Sequence, residues 1–183
     1  MRVGLVFLLA LLLSACGTKE QIKEIDADVL ERMNNPKLAH RDELFELKLN
    51  IGKTTFSANE PISYSASLTY IGDGDSFTVW GSHTIVAFRI TNGLDFDMEG
   101  ASTSELAATK LLKNKTVLYP FVKSGGYSHD DPNADFWRQF YSRKELVLPQ
   151  GNYLIEAVCV FSLDESVVDS HYNESVYTMI TVE

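Results

Sequence analysis

The strongest constraint on the fold is an alternation of apolar and polar side chains that begins near residue 44. In the segment LFELKLNI (44–51), every second side chain from Phe45 is apolar, and Glu, Lys and Asn stand between them. The segment ISYSASLTY (62–70) repeats this alternation with Ser and Thr. A period of two places neighbouring side chains on opposite faces of a strand, one face on a core and one in water. The pattern therefore predicts antiparallel sheets.

Further strand-like segments follow along the chain, separated by turn residues. SFTVW and HTIVAFRI are broken at Gly81, Asn92-Gly93 predicts a tight hairpin turn, and TVLYPFV and ESVYTMITVE resume strand composition. Residues 100–115 leave a short helix and an irregular crossover open. About seven strands predict an all-β, antiparallel two-sheet sandwich over residues 44–183. Six residues on alternating faces are expected in its core: Leu47, Leu49, Tyr64, Leu68, Ile155 and Ala157.

One or two short helices are expected beside the strands. Ile25, Val29 and Met33 recur at helical spacing before Pro36, which ends the pattern. This helix could pack on the domain or serve as a spacer, and we favour a spacer over residues 16–43. The segment DDPNADFWRQFYS predicts a second helix, with Asp131 as N-cap and Pro132 at its first position.

The second helix belongs to an aromatic-rich insertion between two strands. Phe136 and Phe140 lie four residues apart, and we expect this pair to plug the open end of the sandwich. Tyr127, Trp137 and Tyr141 form the candidate binding surface, because aromatic side chains in a groove stack on sugars or anchor a protein partner. For these three residues, a binding surface and a core plug remain equally open.

The segment LVLPQGNYLIEAVCVF carries the most specific fold signal. Leu148, Pro149, Gly151 and Tyr153 resemble the tyrosine corner of immunoglobulin-like and fibronectin type III-like sandwiches. The resemblance implies that the Tyr153 hydroxyl bonds back to the connection that precedes its strand. The segments NEP and SGGYSHDDPNADF are also similar to small immunoglobulin-like domains of Bacillus-type extracytoplasmic lipoproteins. That likeness implies a fold and a compartment, and no reaction.

The first sixteen residues indicate where the chain is sent. Arg2 precedes an apolar run of about 11 residues, too short for a helix that spans a bilayer, and this pattern is typical of a secretory signal. The segment Leu13-Ser14-Ala15-Cys16 resembles a bacterial lipobox. The resemblance implies removal of residues 1–15 and attachment of S-diacylglycerol and an N-acyl group to Cys16. The protein would then be lipid-anchored on the extracytoplasmic face of the cell membrane, or of the outer membrane in a Gram-negative envelope.

Charge and motif content narrow the function. The net charge of -9 argues against nucleic acid as a partner. No catalytic motif, metal-ligand spacing or cofactor motif occurs, and Cys159 is expected to be a buried, unreactive thiol. The acidic stretch 73–76 is read as a solvated hairpin turn, and in 129–135 Asp131 is expected to cap a helix, so neither stretch is predicted to be a calcium site. We therefore expect a non-enzymatic binding or adaptor module for a protein or cell-wall partner. A protease inhibitor and, less favoured, an envelope enzyme are the alternatives.

Overall fold

The computed structural model describes residues 24–101, 105–168 and 170–183 of the chain. The predicted lipidation site Cys16 and the leader lie outside the described residues. The described part contains two helices, α1 (Ala27–Asn34) and α2 (Ala134–Ser142). Its strands, in chain order, are β1 (Ala39–Arg41), β2 (Phe45–Ile51), β3 (Thr55–Phe56), β4 (Tyr64–Tyr70), β5 (Ser76–Gly81), β6 (Val86–Thr91), β7 (Asp97–Met98), β8 (Ala107–Leu112), β9 (Thr116–Pro120), β10 (Gly151–Ser162) and β11 (His171–Val182).

The strands form two sheets that pack face to face. The first sheet has the antiparallel order β1-β2-β4-β9. The second has the order β3-β11-β10-β5-β8, and β6 also pairs with β10 and carries β7. The predicted all-β two-sheet sandwich is therefore confirmed. One pair of strands is parallel rather than antiparallel. The short β3 follows β2 of the first sheet along the chain, but it pairs with β11 of the second sheet and runs parallel to it.

The core lies between the inner faces of the two sheets. All six residues predicted for it are buried: Leu47, Leu49, Tyr64, Leu68, Ile155 and Ala157. Cys159 is buried on the same face of β10 as Ile155, and burial raises the pKa of its thiol far above the ordinary range. Phe45 is fully buried, and its ring meets those of Phe161 and Tyr172 at centroid distances of 5.2 and 5.0 Å.

Helix α1 packs on the domain, so the prediction of a spacer over residues 16–43 needs correction in its described part. Val29 and Met33 are buried against Leu154 on the outer face of the second sheet. After the helix, Lys37 exchanges backbone hydrogen bonds with Tyr177, and β1 pairs with β2. The folded domain therefore begins well before residue 44.

Three connections differ from the sequence predictions. Residues 107–112, which lie in the ambiguous stretch, form the edge strand β8. The turn at 72–75 joins β4 of the first sheet to β5 of the second, so it is not a hairpin between paired strands. The hairpin that begins at Asn92 is confirmed by the β6–β7 pairing, but its loop extends to Phe96. Its Asn92 side-chain oxygen accepts three backbone N–H groups, which favours the longer loop.

Candidate functional site

One end of the sandwich is closed by the 92–96 loop, the 121–149 segment and the start of β10, which together we call the α2 end. The tyrosine corner organises it. The Tyr153 hydroxyl donates a hydrogen bond to the Pro149 carbonyl oxygen at 3.1 Å, as the resemblance implied. Burial, with the nearby charge of Asp95, raises the pKa of Tyr153, so the phenol keeps the proton that it donates.

Helix α2 begins two residues later than the sequence predicted. Its N-cap residue is Asn133, whose side chain makes no capping hydrogen bond. Asp131, the predicted N-cap, accepts the Asn133 N–H at 2.7 Å within the preceding turn, and Pro132 lies in that turn as well. Without a capping side chain, α2 depends on tertiary packing.

The face that α2 buries also differs from the prediction. Phe140 is buried as expected, but its buried companion is Trp137, at 8% exposure, whereas Phe136 is 37% exposed. Trp137 and Phe140 pack on Phe96, with ring centroids 5.1 and 5.6 Å away. Trp137 therefore belongs to the core plug, and Phe136 is the aromatic side chain of this face that meets solvent.

The other two candidate residues lie on the flank of α2. The Tyr127 and Tyr141 rings are nearly parallel, with centroids 6.3 Å apart, and both are half-buried. Gly125 has a φ of +122°, and a Cβ there would lie 2.7 Å from the Glu99 carbonyl oxygen and 2.9 Å from the Tyr141 hydroxyl. Glycine thus permits the 121–128 segment to lie closely against α2.

Lys123 fastens this segment to the C-terminus of α2. Its Nζ donates to the carbonyl oxygens of Phe140 and Arg143 at 2.7 and 2.8 Å, and it lies 4.4 Å from the centre of the Phe140 ring. A cation at the end of a helix also interacts favourably with the helix dipole. Burial, and secondarily the charge of Arg143, lowers the pKa of Lys123.

Two grooves flank the exposed Phe136 ring. The first, which we call the Asp95 groove, has a volume of about 330 Å³ and runs between α2, the 92–96 loop and the tyrosine corner. The second, the Arg143 groove, has a volume of about 180 Å³ and continues past Phe136 toward Leu148. Phe136 therefore stands between two concavities, on a base of buried aromatic rings.

The walls of the Asp95 groove combine aromatic and polar side chains. Its aromatic side chains are those of Phe96, Phe136, Trp137 and Tyr153. Its polar side chains are those of Asn92, Asp95, Asn133 and Gln150. Sequence reasoning found Trp137 and missed the 92–96 loop, although the Asn92-Gly93 pair had already marked a turn there.

The first turn of α1 meets the same loop from the other side. The Asp26 N–H donates to the Gly93 carbonyl oxygen at 3.0 Å. An open groove of about 530 Å³ between them is lined by four aspartates and by Arg89, which binds Asp97 through two hydrogen bonds. In the described parts of the chain, no group of three or more His, Cys, Asp or Glu side chains is arranged to hold a metal ion, the 129–135 stretch included.

No protein-family model matches the chain. No curated protein matches it significantly. Within the described residues, neither helix has the length and apolar character needed to cross a membrane.

Proposed function

We propose that the protein is a lipid-anchored extracytoplasmic binding module whose recognition surface is the α2 end. The observation that carries the proposal is the exposed Phe136 ring between two grooves, supported from below by buried aromatic side chains. Recognition sites combine an apolar anchor with a few fixed polar groups. An anchor side chain that is held in place by packed neighbours loses less entropy on binding. The α2 end provides both.

The path of the chain supports this assignment. Asp26 lies ten positions after Cys16, and a fully extended chain of ten residue steps spans at most about 36 Å. Asp26 is bonded to Gly93 in the loop that forms one wall of the Asp95 groove. With a diacylglyceryl group on Cys16, Asp26 would lie within about that distance of the bilayer, and the loop to which it is bonded would lie on the membrane side of the Asp95 groove. Two acyl chains make such an anchor stable.

The two alternative functions find less support. A protease inhibitor presents a protruding, rigid loop to its target. The extended 121–128 segment instead lies against α2, where Lys123 and the Gly125–Tyr141 contact hold it. An enzyme needs a nucleophile next to a base or a pair of close carboxylates. Among the four aspartates of the α1-side groove, three already have structural partners: Asp26 caps α1, Asp97 binds Arg89, and Asp95, which also lines the Asp95 groove, accepts the Asn92 amide.

The test is position-specific photo-crosslinking in intact cells, combined with palmitate labelling. A crosslinking amino acid is placed at Phe136 in one variant and, as matched control, at the exposed Lys115 of the opposite end in another. We expect palmitate on the wild-type chain and none on Cys16→Ala. We also expect discrete crosslinked products from position 136 that Cys16→Ala abolishes. Equal labelling of both chains, or the same products from positions 115 and 136, would refute the proposal.

A further inference from the structure

We propose that the Asp95 groove binds an uncharged saccharide, with the Phe136 ring as the platform for one sugar face. This inference rests on the proposed function and names the class of its ligand. The groove volume of about 330 Å³ lies at the small end of the range for small-molecule sites, roughly 300 to 1,000 Å³. It suits one or two sugar rings better than a folded partner.

The arrangement of the aromatic rings favours a stacked ligand over an enclosed one. The Phe96 centroid lies 6.1 Å from that of Phe136, 5.1 Å from that of Trp137 and 5.3 Å from that of Tyr153. Rings at these distances contact one another and leave no space between them for an enclosed quaternary ammonium group. Phe136 stacks on Phe140 on one side, with centroids 6.2 Å apart, and is 37% exposed on the remainder. A flat aromatic ring is a surface on which the C–H groups of a sugar can lie.

The polar side chains of the groove can form hydrogen bonds with the hydroxyl groups of such a ligand. The Asn133 side chain makes no capping bond, and Gln150 is exposed at the rim. Asp95 receives the Asn92 amide on one carboxylate oxygen, at 2.9 Å, and its second oxygen remains an acceptor. Amides and carboxylates together donate to and accept from hydroxyl groups, which are themselves both donors and acceptors.

The charge of the Asp95 groove favours a neutral saccharide over an anionic ligand. Asp95 is the charged residue among those that line the groove, and no Lys or Arg lines it. The Asp95 carboxylate would repel a phosphate or sulfate group, and no Lys or Arg side chain of the groove offsets that repulsion at the N-terminus of α2. The neighbouring groove on the α1 side is also mainly acidic. These two acidic grooves therefore disfavour a negatively charged ligand on this side of Phe136, whereas Arg143 lines the groove on the other side.

Two sources could present this chemistry near the anchor: a glycan strand of the cell wall and a saccharide on a lipid headgroup. The test uses the lipidated full chain in polyoxyethylene detergent micelles, because sugar-based detergents would compete. The probes are an uncharged N-acetylglucosamine oligosaccharide and, separately, phosphatidylcholine vesicles that carry a neutral glycolipid. Binding is followed by calorimetry and by tryptophan fluorescence, since Trp137 lines the groove.

We expect saturable binding of at least one of these two probes, and the tighter of the two identifies the source. Phe136→Ala should weaken that binding by about tenfold or more, as expected when a stacking ring is removed. Val160→Ala, which truncates an exposed apolar side chain on the second sheet, is the matched control and should not change it.

Absence of saturation with both probes overturns the inference, as does binding that Phe136→Ala leaves unchanged. Aromatic grooves also bind polyproline peptides and quaternary ammonium ions. If the protein binds a polyproline peptide or tetramethylammonium more tightly than it binds either saccharide probe, the inference is also overturned. The proposed function has separate readouts, namely crosslinking at position 136 and palmitate labelling. Crosslinks without saccharide binding would contradict the ligand class alone, whereas saccharide binding without palmitate would contradict the anchor alone.

Discussion

Helices α1 and α2 are both short and amphipathic, yet they attach to the sandwich in different ways. Helix α1 lies on the outer face of the second sheet and buries two apolar side chains, Val29 and Met33. Helix α2 closes the open end and contributes Trp137 and Phe140 to the main core. The N-terminus of α1 is capped by the Asp26 side chain, whereas that of α2 has no side-chain cap.

The remainder of the α1 attachment is polar. Arg32 makes an ion pair and hydrogen bond with Glu156, a buried residue of β10, and its guanidinium lies 4.1 Å from the centre of the Tyr177 ring. Burial lowers the pKa of Arg32, but the contacts with Glu156, Tyr177 and Asp28 together outweigh it and leave a net rise. Helix α1 could therefore separate without opening the main core, whereas loss of α2 would expose that core.

The largest effect is expected from Trp137→Ala in α2. This change should lower the free energy of unfolding by about 3 to 5 kcal/mol, because it removes a large buried aromatic side chain from the core. Denaturant titration of the variant measures the loss.

Phe136→Ala is the matched control in the same helix, one residue away. It should cost clearly less than Trp137→Ala, about 1 to 2 kcal/mol, since Phe136 is 37% exposed in the folded protein. A larger loss for Phe136→Ala than for Trp137→Ala would reverse the assignment of core and surface on α2.

The next effect is expected from Arg32→Ala, which removes the partner of a buried carboxylate. Breaking a buried ion pair costs about 3 to 5 kcal/mol. Because Glu156 lines an open groove that should admit water, we expect a loss of about 3 kcal/mol, at the lower end of this range. If the docking of α1 contributes less than this, the helix will leave the sheet instead. Limited proteolysis would then cleave near residues 27–36, and the core would remain intact.

Arg41→Ala is the control for that variant. Arg41 pairs with Glu46 at 3.2 Å on the surface, and exposed pairs contribute at most about 1 kcal/mol. Equal losses for Arg32→Ala and Arg41→Ala would show that burial of Glu156 has no energetic consequence.

The sequence predicted the sheets well because strand alternation is a local pattern. It predicted the position of α1 poorly, since the partners of Arg32 lie more than a hundred residues further along the chain. One signal was present: in YLIEAVCVF of β10, the face opposite Ile155 carries Leu154 and Val158 beside the single charged residue Glu156, and a largely apolar second face indicates a strand that is covered on both sides. The edge strand β8 was ambiguous because Leu111 is its single buried residue.

The candidate site shows a similar limit. Aromatic residues occupy positions 136, 137, 140 and 141, so helical periodicity fits two different buried faces. The choice between them depends on Phe96, which is about forty residues distant and packs on Trp137 and Phe140. The tyrosine corner was predictable from the sequence because Pro149 and Tyr153, the two residues of its hydrogen bond, lie only four positions apart.

The smallest effect tests the difference in capping between the two helices. Asp26 Oδ1 accepts the N–H groups of Asp28 and Val29 at 3.0 and 3.1 Å, so Asp26→Ala leaves two helix donors without their side-chain partner. Loss of such a cap costs about 1 kcal/mol. Asn133→Ala in α2 should cost close to nothing, because no cap hydrogen bond is lost.

If α1 separates on its own, the stability lost in Asp26→Ala should appear first as faster amide hydrogen exchange in α1, with smaller changes in β10. Exchange that accelerates equally in α1 and in the core would mean that α1 unfolds together with the sandwich, and the contrast between the two attachments would then be one of geometry alone.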